Sequence, residues 1–204
     1  GGTVVDDLTV RINTAVLDLP GAGLISRLDV LTARPDVQYV TPNRSVSSTA
    51  KPPNGGSGFT DGHIRLTTGV ADLYGVTRLD GTGVGIAVID SGIYLHPDFS
   101  TAHGTGQTRV LTHSNFTGEI IHDYDGYGHG THVAGIAAGS GALSGTNPRG
   151  PFTGIAPAAT LSDLRVLNSA GTGTIQGMLK ALDWVKYWAD NLGIKAVNIS
   201  AGMT

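Results

Sequence analysis

Asp90 and His129 stand where side chains can do chemistry. Asp90 closes the apolar run Val84-Gly-Ile-Ala-Val-Ile89, and such a run reads as a strand of a parallel sheet buried on both faces. In open α/β sheets the working residues gather at the carboxyl ends of strands. On position alone, the aspartate serves equally well as a cap for the turn Ser91-Gly92. His129 lies in Tyr127-Gly-His129-Gly-Thr-His132-Val-Ala-Gly135. Glycines on both sides let backbone or substrate come close to it, and imidazole is the side chain best suited to moving protons near neutral pH. His132, one helical turn later, reads as a structural histidine facing inward.

Other chemistries fit less well. His122, Asp123, Asp125, His129 and His132 form a dense set of potential metal ligands. The helical zinc motif, however, wants histidines four apart with an adjacent glutamate. Here they are three apart and no glutamate is present, so a His/Asp metallohydrolase remains only as an alternative. Gly81-Thr-Gly83-Val-Gly85 precedes its strand, whereas a dinucleotide fingerprint must follow one and open a helix. Two further small-residue segments, Ser169-Ala-Gly171-Thr172-Gly173 and Ser200-Ala201-Gly202, follow strands at the same end of the sheet. They are either ordinary turns or two backbone edges that grip an extended peptide by strand addition.

Positioning these groups requires a sheet. The 204 residues suffice for one or two domains. They are 40% hydrophobic, only 14% charged, and include 31 glycines, which suits a compact core with tight turns. The net charge of −3 and the lack of a basic run argue against nucleic acid. No apolar stretch approaches the roughly 18 residues of a membrane span. The absence of cysteine excludes disulfides, cysteine-ligated zinc and a thiol nucleophile.

Residues 8–18 read as a strand or strand pair. Leu24, Leu28 and Leu31 share a helical face that ends before Pro35. Val37, Tyr39 and Val40 read as a short strand stopped by Pro42. The resulting β-α-β unit, residues 1–46, is small for independent stability. The Ser-, Pro- and Gly-rich stretch that follows reads as a linker over 47–62. Beyond it come the strand ending at Asp90, a helix of small residues over 130–139, a strand Leu161–Leu167, an amphipathic helix from Thr174 to about Gly193, and a strand Ala196–Ile199. This β-α-β-α-β order predicts an α/β fold: a parallel sheet with helices on both faces, over residues 63–204.

Taken together, these segments resemble the subtilisin-like serine proteases, the subtilases. Val88-Ile-Asp90-Ser-Gly-Ile93 with His96-Pro-Asp98 is similar to the segment around that family's catalytic aspartate. Gly128-His129-Gly-Thr-His132-Val-Ala-Gly135 is similar to the segment around its histidine, and Gly154-Ile-Ala-Pro157 to its next block. The N-terminal unit, with Asp36-Val-Gln-Tyr-Val40 before Pro42, resembles the rear part of the inhibitor-like α+β propeptide that precedes many subtilases. The resemblance implies a serine endopeptidase in which Asp90 and His129 are two members of an Asp-His-Ser triad. The family's serine lies in Gly-Thr-Ser-x-Ala, a pattern these 204 residues do not contain. The expectation is therefore a propeptide remnant plus the front half of a catalytic domain, inactive by itself.

By the same resemblance, Gly171, Thr172 and Gly173 on one side and Ser200, Ala201 and Gly202 on the other flank the substrate backbone. The segment near Arg44–Ser48 should lie across the cleft. The implied partners are a polypeptide substrate and the chain's own propeptide, on a secreted or extracytoplasmic monomer. The chemistry requires no cofactor. A structural calcium at Asp98 is allowed, although the loop 145–153, with Pro148 and Pro151, matches the family's partner loop poorly. A catalytically inactive peptide-binding protein on the same fold is the other alternative.

Overall fold

The computed structural model describes residues 2–8, 12, 14–48, 64–65, 68–70, 79–101, 106–120, 124–144 and 152–203. At its centre is a four-stranded sheet of β4 (Gly85–Asp90), β5 (Val110–Asn115), β6 (Thr160–Arg165) and β8 (Ile194–Ile199), in the order β5-β6-β4-β8. Every pairing in it is parallel. β4 lies between two neighbours and under helices on both faces, so Ala87, Val88 and Ile89 are each at most 1% exposed. That is why its sequence is apolar without alternation.

One face packs on helix α2 (His129–Ala138), where Val88, Ile93, Phe99, Val110 and Leu161 meet Ala134 and Ala138. The small residues of α2 let it approach closely: a side chain on Gly130 would collide with the Gly92 carbonyl. The other face packs on α3 (Ile175–Trp188), where Ala87, Ile89, Leu164 and Val166 meet Ala181 and Val185. Helix α3 starts at Thr174, whose hydroxyl accepts from the Gly177 N–H at 3.1 Å, an N-cap of the usual kind.

Several expectations need correction. Strand β5 follows β4 without being foreseen. Its residues, Val-Leu-Thr-His-Ser-Asn, carry too few apolar positions for a recognisable run. At the N-terminus, β1 (Thr3–Leu8) and β2 (Thr14–Asp18) form an antiparallel pair, followed by α1 (Leu24–Thr32). Residues 37–40 are not a strand: Tyr39 is 78% exposed, and a short extended segment with no neighbour to pair with has no ladder to hold it. The described part of this unit therefore opens β-β-α, and the next strand starts at Ser45, not at Val37.

The linker reading over 47–62 fails at Ser47 and Ser48, which belong to strand β3 (Ser45–Ser48); its remainder lies outside the described residues. β3 lies between β7 (Thr172–Thr174) and β9 (Ala201–Met203), antiparallel to both. His132 is exposed, not inward-facing.

Candidate active site

The end of β4 and the start of α2 meet at one hydrogen bond. His129 Nδ1 lies 2.7 Å from Asp90 Oδ1, with the imidazole donating to an ionised carboxylate. The Asp90 side chain is fully buried and that of His129 is 4% exposed. The Ser91 N–H donates to the same oxygen at 2.7 Å, while Oδ2 is buried without a hydrogen-bond partner among the described residues. Burial pushes the Asp90 carboxyl up from its ordinary pKa, against the pull of the His129 and Ser91 hydrogen bonds. A carboxylate so placed fixes the imidazole tautomer, with the proton on Nδ1.

A second buried carboxylate holds this pair in place. Asp125 Oδ1 accepts from Ser91 Oγ at 2.7 Å and from the Gly128 N–H at 2.8 Å. Its Oδ2 accepts from the N–H of Thr131 at 2.8 Å and from its hydroxyl at 2.5 Å. Ser91 Oγ accepts in turn from the Gly130 N–H at 2.9 Å. The N–H groups of Gly128, Gly130 and Thr131 at the start of α2 thus find acceptors in one acid and one serine, and both also fasten the turn after Asp90. Gly92 has φ 119° and no room for a side chain beside the Tyr124 carbonyl. Sequence reading found Asp125 only as a possible metal ligand and missed Ser91 and Thr131. The spacing of Asp125 before a helix start was the available signal.

The two predicted peptide-gripping edges do face each other across a gap, and β3 fills it. Ser45, Val46 and Ser47 pair with Thr174, Gly173 and Thr172. Val46, Ser47 and Ser48 pair with Met203, Gly202 and Ala201. Thr172, Gly173, Ala201 and Gly202 therefore belong to the ladder. Gly171 and Ser200 sit just outside it, and Thr174 and Met203 join it unforeseen. The Val46 side chain is 1% exposed. It packs in the cluster containing Val166 and Leu167, with Phe116, Ile175, Met178 and Ala201 against it. The glycines are required less by the peptide than by what lies behind them: a side chain on Gly173 would strike the Val166 carbonyl, and one on Gly171 the Tyr127 ring.

The N-terminal unit holds β3 through α3. Lys180 Nζ lies 3.0 Å from Asp6 Oδ2, and Gln176 Nε2 donates to the same oxygen. The Gln176 N–H donates to Asn43 Oδ1 at 2.8 Å, and the Ile175 N–H to the Arg44 carbonyl at 2.9 Å. Burial works to raise the Asp6 carboxyl, but the bonds from Gln176 and Lys180 outweigh it and hold the carboxyl below its ordinary value.

The residues from Gly81 to Thr204 match the model of the subtilase family. The chain belongs to that family. Among curated subtilase relatives it is 40% identical to serine protease AprX of Bacillus subtilis over 114 residues, which is 55% of this chain and 23% of that one. It is 30% identical to M-protease of Shouchella clausii over 175 residues, 86% of this chain and 39% of that one. With subtilisin Savinase of Lederbergia lenta it shares 35% over 124 residues, 61% of this chain and 39% of that one. The chain thus spans well under half the length of these relatives.

The metal alternatives gain little from the geometry. Among the described residues no three His, Cys, Asp or Glu side chains converge on one point, and both Asp125 oxygens already accept protein donors. His122 and Asp123 lie outside the described residues. At Asp98, the carboxylate named for calcium, Oδ1 accepts from the Leu143 N–H at 2.9 Å. Of the loop 145–153 named as its partner, only Phe152 and Thr153 are among the described residues. No described helix is long and apolar enough to cross a membrane.

Proposed function

We propose that this subtilase is a serine endopeptidase to which the present chain contributes Asp90, His129 and both edges of the substrate groove. The observation that carries the reading is the 2.7 Å bond from His129 Nδ1 to buried Asp90. With Nδ1 so engaged, Nε2 is left to accept a proton. The hydroxyl of the family's serine attacks the scissile carbonyl while His129 Nε2 takes its proton. Asp90 stabilises the imidazolium, and Nε2 then delivers the proton to the leaving amine. Water, activated by the same nitrogen, releases the acyl group and restores the serine. The substrate backbone adds as a strand between Thr172–Gly173 and Ala201–Gly202.

Residues 1–46 are on this reading a propeptide remnant. β3 supports it: a segment of the chain itself occupies the groove in the ladder a substrate would use. The protein acts as a secreted monomer on polypeptides and needs no cofactor for the chemistry. Any calcium at Asp98 would be structural and would compete with Leu143 for the carboxylate. The test is a fluorophosphonate serine probe on the full-length protein after removal of the N-terminal unit. Labelling that disappears in His129→Ala supports the endopeptidase. A folded wild-type protein that neither labels nor cleaves casein identifies a peptide-binding relative instead.

A further inference from the structure

We propose that His113 and Asp163 form a second, positioning pair that holds Asp90 and His129 in register; this deepens the endopeptidase reading and rests on it. β5 and β6 place His113 directly opposite Asp163, and β4 places Val88 opposite Asp163 on its other side. Val88 and Asp90 point to the same face of β4, so the second pair lies one pleat, roughly 7 Å, below the level of the catalytic carboxylate. Its geometry repeats that of the upper pair. His113 Nδ1 is 2.8 Å from Asp163 Oδ2, and the side chains are 22% and 4% exposed.

The pair reaches both halves of the site above it. The Ile93 N–H lies near enough to the Asp163 carboxylate to favour its charged form, while Asp163 Oδ1 is buried without a hydrogen-bond partner among the described residues; Ile93 ends the turn that leaves Asp90. The His113 ring packs on Tyr124, with centroids 4.3 Å apart and planes tilted by 40°. Tyr124 precedes Asp125, the carboxylate that caps the His129 helix, and its carbonyl lies against Gly92. The charged groups around the pair are Asp125, which disfavours a second negative charge at Asp163, and Arg165, two residues along β6 and paired with Glu119.

Apolar side chains would tie β5 to β6 at no greater cost than a buried ionic pair. What the polar pair adds is direction: the carboxylate, beneath the turn at Ile93, orients the His113 ring, and the imidazole orients Tyr124. Both act on the Asp90–His129 bond through backbone, and neither touches substrate.

The test uses the full-length protein with Asp163→Asn, His113→Leu and His113→Asn, the last keeping a donor near the place of Nδ1. Three quantities are read: kcat and KM on a peptide substrate, the melting temperature, and the NMR resonance of the proton on His129 Nδ1. We expect Asp163→Asn and His113→Leu to lower kcat roughly tenfold to a hundredfold, the scale of a small misplacement at a reacting centre. KM should change less than twofold, the His129 proton should shift, and His113→Asn should recover most of kcat. Folded variants with unchanged kcat and an unmoved proton would overturn the proposal. So would losses of kcat that follow the melting temperature and are not rescued by His113→Asn. If His113→Leu does not fold, the isosteric Asp163→Asn decides by the same readouts. If the wild-type protein hydrolyses nothing, the endopeptidase reading fails on its own. The His129 proton in Asp163→Asn then decides the positioning role: a shift supports it and an unmoved resonance rejects it.

Discussion

Ser91 and Asp125, 34 residues apart, are joined by a 2.7 Å hydrogen bond, and that bond fastens the strand bearing Asp90 to the helix bearing His129. Neither residue moves a proton in the proposed reaction. Their role is to make the distance between two other side chains a property of the fold.

Replacing Asp125 with alanine should therefore cost stability first. It leaves the buried Ser91 hydroxyl and the part-buried Gly128 and Thr131 N–H groups without their acceptor, and a fully buried unsatisfied group costs about 1–3 kcal/mol. Allowing for relaxation and water entry, a total of roughly 2–4 kcal/mol is expected. Denaturant melts of the full-length protein should show it as a lower midpoint with an unchanged slope. Asp125→Asn, which keeps one acceptor oxygen, should lose clearly less.

The site was legible in the sequence where local pattern and chemistry coincide. An apolar run must be a buried strand, so its terminal aspartate had to lie at the sheet's carboxyl edge. Glycines around His129 marked a tight helix start. β5 was not legible, because its Leu-Thr-His-Ser centre is polar for a reason that only the partner strand reveals: His113 faces Asp163. β3 was hidden in a Ser-rich stretch because its stability comes from β7 and β9, more than 120 residues away in the chain. Val37–Val40 failed for the opposite reason, being strand-like in composition without a strand beside it.

Val46 anchors β3. Truncation to alanine removes two methyl groups from a closed apolar pocket and should weaken the seating of β3 by about 1–2 kcal/mol. Val46→Asp places a carboxylate there and should expel the strand altogether. Hydrogen exchange at Ser47, read in the full-length protein, should rise modestly in the first variant and reach the unprotected rate in the second. Equal protection in both would mean that β3 is held by its backbone alone.

Docking of the N-terminal unit should weaken in acid. The Asp6 carboxyl is depressed by Gln176 and Lys180, so its contribution is complete above the ordinary carboxylate pKa of about 3.9 and fades as pH falls through the lower folded value. The partly exposed pair with Lys180 is worth under about 1 kcal/mol. Protection factors for β3 should thus be flat from neutral pH to about 4 and drop below it. Asp6→Asn should lower the plateau slightly and remove that part of the acid dependence. A wild-type drop beginning near pH 6 would point to a histidine instead.

The most direct test of the account is kcat for Asp90→Asn in the full-length protein. An amide at this place can no longer hold the imidazole in the tautomer that leaves Nε2 ready to accept, nor stabilise the imidazolium. The geometry predicts a fall in kcat of about 10⁴-fold, with KM nearly unchanged and the fold intact. A loss below tenfold in a properly folded variant would contradict the assignment of the Asp90–His129 pair as the proton-transfer centre.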